Sequence, residues 1–234
     1  VNYGQFALHG PLTSMAIPGI ATSGYGGTFR RGGLGQMNFD GTNDYVQVGD
    51  FAPLKFTSGD FSLGLWLYHL GTFATTEYPV CKGAAQAFSP YSFWVNNGTL
   101  KITIGASGCG AWLTTADVSV AVTADVWEHY FLVKLGALLT LYKNGKAVDS
   151  FTMSSASICD NTRSFRIGTG SGTGDAATGP WKGSLDDIRC YNRALSALEV
   201  YAMYEDSQQF YPGLLRRRDG FHWNVLTAAL VGPL

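Results

Sequence analysis

Two groups of carboxylates are the side chains whose types and spacing could do chemistry here. Asp40, Asn43 and Asp44, with the backbone of Gly41, make a short oxygen-rich loop, and Asp186 and Asp187 stand side by side far downstream. Oxygen donors with neither His nor Cys beside them suit a hard cation. Calcium, which takes roughly six to eight oxygens at flexible geometry, is therefore expected before zinc. The competing expectation is that Asp40 and Asp44 cap a turn while Asp186 or Asp187 pairs with Arg189 or Arg193. Glycoside hydrolysis would need two carboxylates about 5 to 9.5 Å apart, and the glutamates are poorly distributed for it. Glu77 stands alone, Glu128 follows a Trp, and Glu199 and Glu205 lie near the end of the patterned sequence. No Gly-x-Ser-x-Gly elbow and no phosphate-binding Gly-rich loop followed by Lys and Ser/Thr occurs. The expectation is a protein without catalysis. Sugar binding needs exposed aromatic faces instead. Trp112 and Trp181 flank Gly-rich loops and are the first candidates, with Tyr78 and Tyr91 behind them.

The elements that would position these groups are strands. Short alternating or apolar runs recur at Tyr45 to Val48, Phe61 to Tyr68, Tyr91 to Val95, Leu100 to Ile104, His129 to Leu135, Leu138 to Lys143 and Ser164 to Ile167. Asn97-Gly98 and Asn144-Gly145 separate or end such runs, and both residue types tolerate the positive φ of tight hairpins. Leu185, Ile188 and Cys190 mark a half-buried strand, after which Ser196 and Glu199 fit a capping box opening a short helix. Helical periodicity is missing before that point, so two antiparallel sheets packed face to face are expected.

Five blocks, in order, resemble the laminin-G-like jelly rolls of the concanavalin A-like lectin and glucanase superfamily. They are Met37 to Val48, Phe61 to Leu67, Trp127 to Tyr130, Leu141-Tyr142-Lys143-Asn144-Gly145-Lys146, and Gly183 to Ser196. The resemblance implies an all-β, two-sheet antiparallel jelly-roll sandwich with one short C-terminal helix, the strand at Phe39 to Val48 lying near that at Ser184 to Tyr191. It implies core positions for Phe39, Trp66, Trp127, Leu141 and Ile188. It also implies that Asp40 to Asp44 converge with Asp186 and Asp187, where relatives often carry a structural calcium. The Glu-x-Asp-x-Glu strand of hydrolytic relatives is absent.

The chain has 234 residues, 30 of them Gly, is 14% aromatic and only 14% charged, and carries a formal net charge of -1. Nothing in that balance calls for nucleic acid, and no apolar run reaches the ~18 to 20 residues of a membrane span. Cys81, Cys109, Cys159 and Cys190 allow three full pairings, and the apolar slot of Cys190 favours a buried thiol. Three segments are expected: a Gly-rich arm with an edge strand at Gln5 to Leu8 over 1–35, the jelly roll over 36–206, and a docking tail over 207–234. That tail contains Arg216, Arg217 and Arg218 and then Phe221, Trp223, Leu226 and Leu230, a run too apolar to be left in water. Between Leu198 and Arg218 it also resembles laminin-G-like virion proteins of tailed bacteriophages. These features imply an extracellular protein on a virion surface, a decoration or attachment component. Its partners would be a homo-oligomer, a capsid or other shell protein, and glycans. A free lectin-like module is the alternative.

Overall fold

The computed structural model describes residues 12–13, 36–74, 76–84, 88–109, 111, 118–172 and 176–208. The chain forms β1 (Leu12–Thr13), β2 (Met37–Asp40), β3 (Tyr45–Gly49), β4 (Phe61–His69) and β5 (Glu77–Ala84). β6 (Phe88–Asn96), β7 (Thr99–Ile104), β8 (Val118–Ala121), β9 (Trp127–Leu135), β10 (Leu138–Lys143) and β11 (Lys146–Thr152) follow. β12 (Phe165–Ile167), β13 (Gly170–Ser171), β14 (Ala177–Thr178), β15 (Lys182–Tyr191) and α1 (Ala197–Gln208) complete the described order. One sheet runs β1-β3-β12-β5-β6-β7-β8 with β13 beside β5 and β14 beside β13, and the other runs β11-β10-β9-β4-β15-β2. The sandwich of two antiparallel sheets and one short helix is the expected fold.

The Asn-Gly pairs sit where local chemistry puts them. Asn97 and Asn144 have φ of 46° and 50°, each followed by a positive-φ glycine, and they turn β6 into β7 and β10 into β11. The run from Phe39 to Val48 is not one strand. The turn at Gly41, with φ of 81°, sends β2 to the six-stranded sheet beside β15 and β3 to the other sheet beside β12. The stretch around Glu77 is likewise a full strand, β5, between β12 and β6. The strand expected at Gln5 to Leu8 lies outside the described residues.

Inward positions build one core between the sheets. Leu63, Leu65 and Leu67 from β4 meet Tyr91, Phe93 and Val95 from β6 and Leu100, Ile102 and Ile104 from β7, with Phe39, Leu141 and Ile188 in the same cluster. Alternation along each strand produces this face. A second cluster lies on the outer face of the six-stranded sheet, where Leu195 and Val200 cover Phe131, Val133, Tyr142 and Tyr191. Trp66 is buried there rather than between the sheets, its ring stacked on Tyr204 of α1 at 5.8 Å. Gly64 is required below, because a Cβ would stand 2.0 Å from the Phe131 ring. Trp127 departs from expectation: it is half-buried at the start of β9, outward-facing, against Tyr68 at 5.6 Å.

The helix opens as the capping box requires. The Ser196 N–H donates to Glu199 at 2.8 Å, the Glu199 N–H donates to the Ser196 hydroxyl at 3.3 Å, and Arg193 pairs with the same carboxylate. Arg193 and these donors hold the Glu199 carboxyl down to about 2. A depressed carboxyl contributes stability that is present above its unfolded value near 4.5 and is lost as pH falls through the folded one. The pair is exposed, so the contribution is small, about 0.2 to 1 kcal/mol. Glu199→Gln should therefore lower the melting temperature slightly at neutral pH. Wild type and variant should converge as the pH approaches 2, and a difference that persists there would contradict the cap's role.

Candidate functional site

The structure separates the two groups of carboxylates. β2 and β15 are neighbours, but their antiparallel register sets Asp40 opposite Lys182 and Asp186 opposite Trp66 of β4. Those positions are four steps apart along β15, roughly 13 Å at about 3.3 Å per residue, so the expected convergence does not occur. Among the described residues no group of three or more His, Cys, Asp or Glu could hold a metal ion. Asp44 accepts the Asp40 N–H at 2.9 Å and Asp40 accepts the Thr42 N–H at 2.7 Å, closing the turn around Gly41 and Asn43. Burial, opposed by that N–H and aided by the nearby Asp40 charge, raises the Asp44 carboxyl. Asp186 accepts the Asp187 N–H at 2.7 Å, and Asp187 pairs with Arg189 at 2.8 Å.

Three of the four candidate sugar platforms are interior. Trp181 is 0% exposed and belongs to the main core, its ring edge-on to His69 at 5.0 Å. Tyr91 is equally buried and donates to the Leu54 carbonyl at 2.9 Å. Tyr78 lies beneath Gly170 and Gly179, and burial pushes its hydroxyl up to about 12. Gly170 and Gly179 make room for the Tyr78 ring rather than exposing it. Trp112 lies outside the described residues, as do Arg216, Arg217, Arg218, Phe221, Trp223, Leu226 and Leu230. Trp94 is half-buried, with Tyr78 stacked at 6.5 Å and the Lys101 ammonium 5.4 Å from its centroid.

Glu77, Glu128 and Lys82 are each matched inside the sandwich. Glu77 is not isolated: both its oxygens meet His69 Nε2, at 3.1 and 2.9 Å, and it accepts the Ala74 N–H at 3.2 Å. Glu128 takes Lys143 at 2.7 Å together with the Tyr130 hydroxyl and the Thr123 N–H. Burial pushes its carboxyl up, but those three donors outweigh it and the net shift is downward. Lys82, fully buried, donates to Asp50 at 3.0 Å and to the Arg163 carbonyl at 2.6 Å. Such pairing is what burial of charge demands, and it leaves Glu77 and Glu128 committed to structure.

An aromatic pair faces outward at one end of the six-stranded sheet. Tyr68 ends the outward row of β4 and stands opposite Trp127 of β9, the two rings tilted by 48°. Asp125, exposed and at φ 61°, holds the neighbouring loops together. Its N–H donates to the His69 carbonyl at 2.8 Å, while its carboxylate accepts the Gly71 N–H at 3.0 Å and the Tyr68 hydroxyl at 3.4 Å. Leu70 and Val126 flank it, 49% and 47% exposed. Ser184, opposite Tyr68 on the other side, donates to Asn38 at 2.6 Å. The strand alternation that points Tyr68 outward was readable in the sequence; the partnership with Asp125, across two loops, was not.

Residues 40–201 match the family model of the concanavalin A-like lectin/glucanases superfamily. The chain belongs to that superfamily. Among solved structures it is similar to the binding domain of Paraclostridial Mosquitocidal Protein 1, with a TM-score of 0.59 and 16% identity over 74% of this chain and 43% of that one. It is also similar to the botulinum neurotoxin serotype G binding domain, with a TM-score of 0.58 and 13% identity over 85% of this chain and 51% of that one. Domain 4 of AbnA, a GH43 extracellular arabinanase from Geobacillus stearothermophilus, solved with arabinotriose, gives 0.55 and 19% over 75% and 77%. The superfamily member thus spans about half, or less, of the two toxin binding domains. Among curated proteins none matches it in sequence.

Proposed function

We propose that this superfamily member is a non-enzymatic recognition protein that works outside the cell, as a decoration or attachment component of a virion, and reads glycans. The observation that carries the non-enzymatic reading is the locking of Glu77 by His69 and of Glu128 by Lys143 and Tyr130. A general acid or nucleophile must be open to substrate, and both glutamates of the strands are 4% exposed or less. The disulfide between Cys109 and Cys159 supports an oxidising compartment. A similar fold held with arabinotriose supports carbohydrate as the ligand class. The apolar sequence from Phe221 to Leu234, preceded by three arginines, supports attachment to a larger particle.

Incubation with arabinan, xylan and β-glucan should release no reducing ends. Cleavage that disappears in Glu77→Gln would overturn the non-enzymatic reading. For the particle, the measurement is the mass of the native assembly before and after truncation following Tyr211. A shortened protein that keeps its melting temperature but no longer assembles supports attachment through the tail. Full assembly without the tail contradicts it.

A further inference from the structure

Resting on the glycan reading above, we propose that Tyr68, Trp127 and Asp125 form a binding site for neutral oligosaccharides on the outer face of the six-stranded sheet. The site shares no residue with the loops around Trp112 and Trp181 where the sequence placed sugar binding. Sugar rings offer apolar C–H faces that stack on aromatic planes and equatorial hydroxyls that donate to carboxylates. Both kinds of partner are present within one row. Tyr68 and Trp127 are directly opposed across β4 and β9, and their ring centroids are 5.6 Å apart. Planes meeting at 48° do not offer one flat shelf. They suit a chain whose successive rings are rotated against each other.

Among the described tryptophans, Trp127 is the half-buried one that stands beside Tyr68 in this outward row. Trp66 lies under Tyr204, Trp181 is in the core, and Lys101 stands over Trp94. Packing does not require an aromatic pair in this place, because the main core excludes both rings and the cluster under α1 is built from other residues. Asp125 uses one carboxylate oxygen for the Gly71 N–H and the Tyr68 hydroxyl. The other oxygen has no hydrogen bond among the described residues and accepts from a ligand hydroxyl. The acceptor is positioned before binding, since its backbone N–H is fixed on the His69 carbonyl, and preorganisation lowers the entropic cost of capture.

Charge sets the selectivity. No cation pairs with Asp125 among the described residues, and the stem of Lys182 lies against the Gly41 turn. A carboxylate without a neighbouring cation repels a sialylated or uronic sugar and accepts a neutral one. The exposed Leu70 and Val126 on either side exclude water from the rim of the contact.

The test uses the full chain on an immobilised panel of neutral pentose and hexose oligosaccharides, arabinotriose among them, with a matched sialylated set. The intact protein is expected to bind neutral members above sialylated ones and to show a change in tryptophan emission on binding. Trp127→Ala is expected to weaken that binding about tenfold or more, the loss of one stacked ring, with its melting temperature near that of the parent. Asp125→Asn keeps both rings and tolerates the same backbone conformation. It is expected to weaken neutral binding several-fold and to narrow the discrimination against sialylated sugars. If Trp127→Ala does not fold, Asp125→Asn decides, and unchanged affinity and selectivity there overturn the site. Undiminished binding by both variants overturns the site while the glycan reading stands. An intact protein that binds no member of either set overturns both.

Discussion

Gly183→Ala is expected to leave little folded protein. Gly183 has φ 140°, and an added Cβ would lie 2.1 Å from the Tyr68 carbonyl oxygen and 3.0 Å from both the His69 Cα and the Leu70 nitrogen. All three obstacles are backbone, so no rotamer change relieves the clash. The position is also central to the sheet, since Gly183 is paired with His69 on β4 and with Phe39 on β2. Moving the strand would disturb both ladders at once. A loss above about 4 kcal/mol is expected, in the range reserved for a small set of severe mechanisms. Gly71→Ala is the control. Its φ is 70° but nothing lies within 4 Å of the added Cβ, so only the backbone preference is lost, about 1 to 2 kcal/mol. Chemical denaturation of the two variants measures the contrast. Equal midpoints would mean that close approach at Gly183 does not matter.

Opening the Cys109–Cys159 disulfide is expected to cost about 4 kcal/mol, because the bridge closes a loop of 50 residues. It ties the segment after β7 to the segment before β12. The same junction is reinforced by the Cys159 N–H on the Gly105 carbonyl at 2.8 Å and by a bridge between Ala106 and Ile158. Those neighbouring contacts persist in the folded reduced protein, so the bridge acts mainly on the unfolded chain. A Cys109→Ala/Cys159→Ala protein should thus fold with a lower denaturation midpoint and an unchanged spectrum. Cys81 and Cys190 should behave differently. Both are buried thiols, and burial pushes Cys190 up to about 12, so neither should react with a thiol reagent until the protein unfolds. A double variant as stable as the parent would refute the loop-closure account.

What the sequence made legible was local. The capping box at Ser196 and Glu199, the Asn-Gly turns and the alternation that buries Leu141 and Ile188 are each decided within a few residues of chain. The interior rings were misassigned for the opposite reason. Tyr91 is carried inward by the register of β6 on β5 and β7, and Trp181 by the entry of the chain into β15. Glycine near an aromatic reads as loop exposure in one dimension and as room for a ring in three. The carboxylate groups failed similarly, since neighbouring strands were expected but their register was not. One signal for the Glu77 pair was available. His69 continues the inward series Leu63, Leu65, Leu67, and a polar group at such a position demands a partner. Nothing local pointed to Asp125, whose partners Tyr68, His69 and Gly71 come from the end of β4 and just beyond it, 54 or more residues earlier.

β15 lies between β2 and β4 in its sheet, although β2 and β4 precede it by more than a hundred residues. During synthesis the six-stranded sheet therefore cannot close before Tyr191 has left the ribosome. Until then β2 has no neighbour in that sheet, and β4 is paired on one edge alone. A nascent chain in that state presents an open template for other strands. Closure of that sheet must wait for β15, and expression at low temperature or with a chaperone that covers strand edges should raise the yield of folded protein.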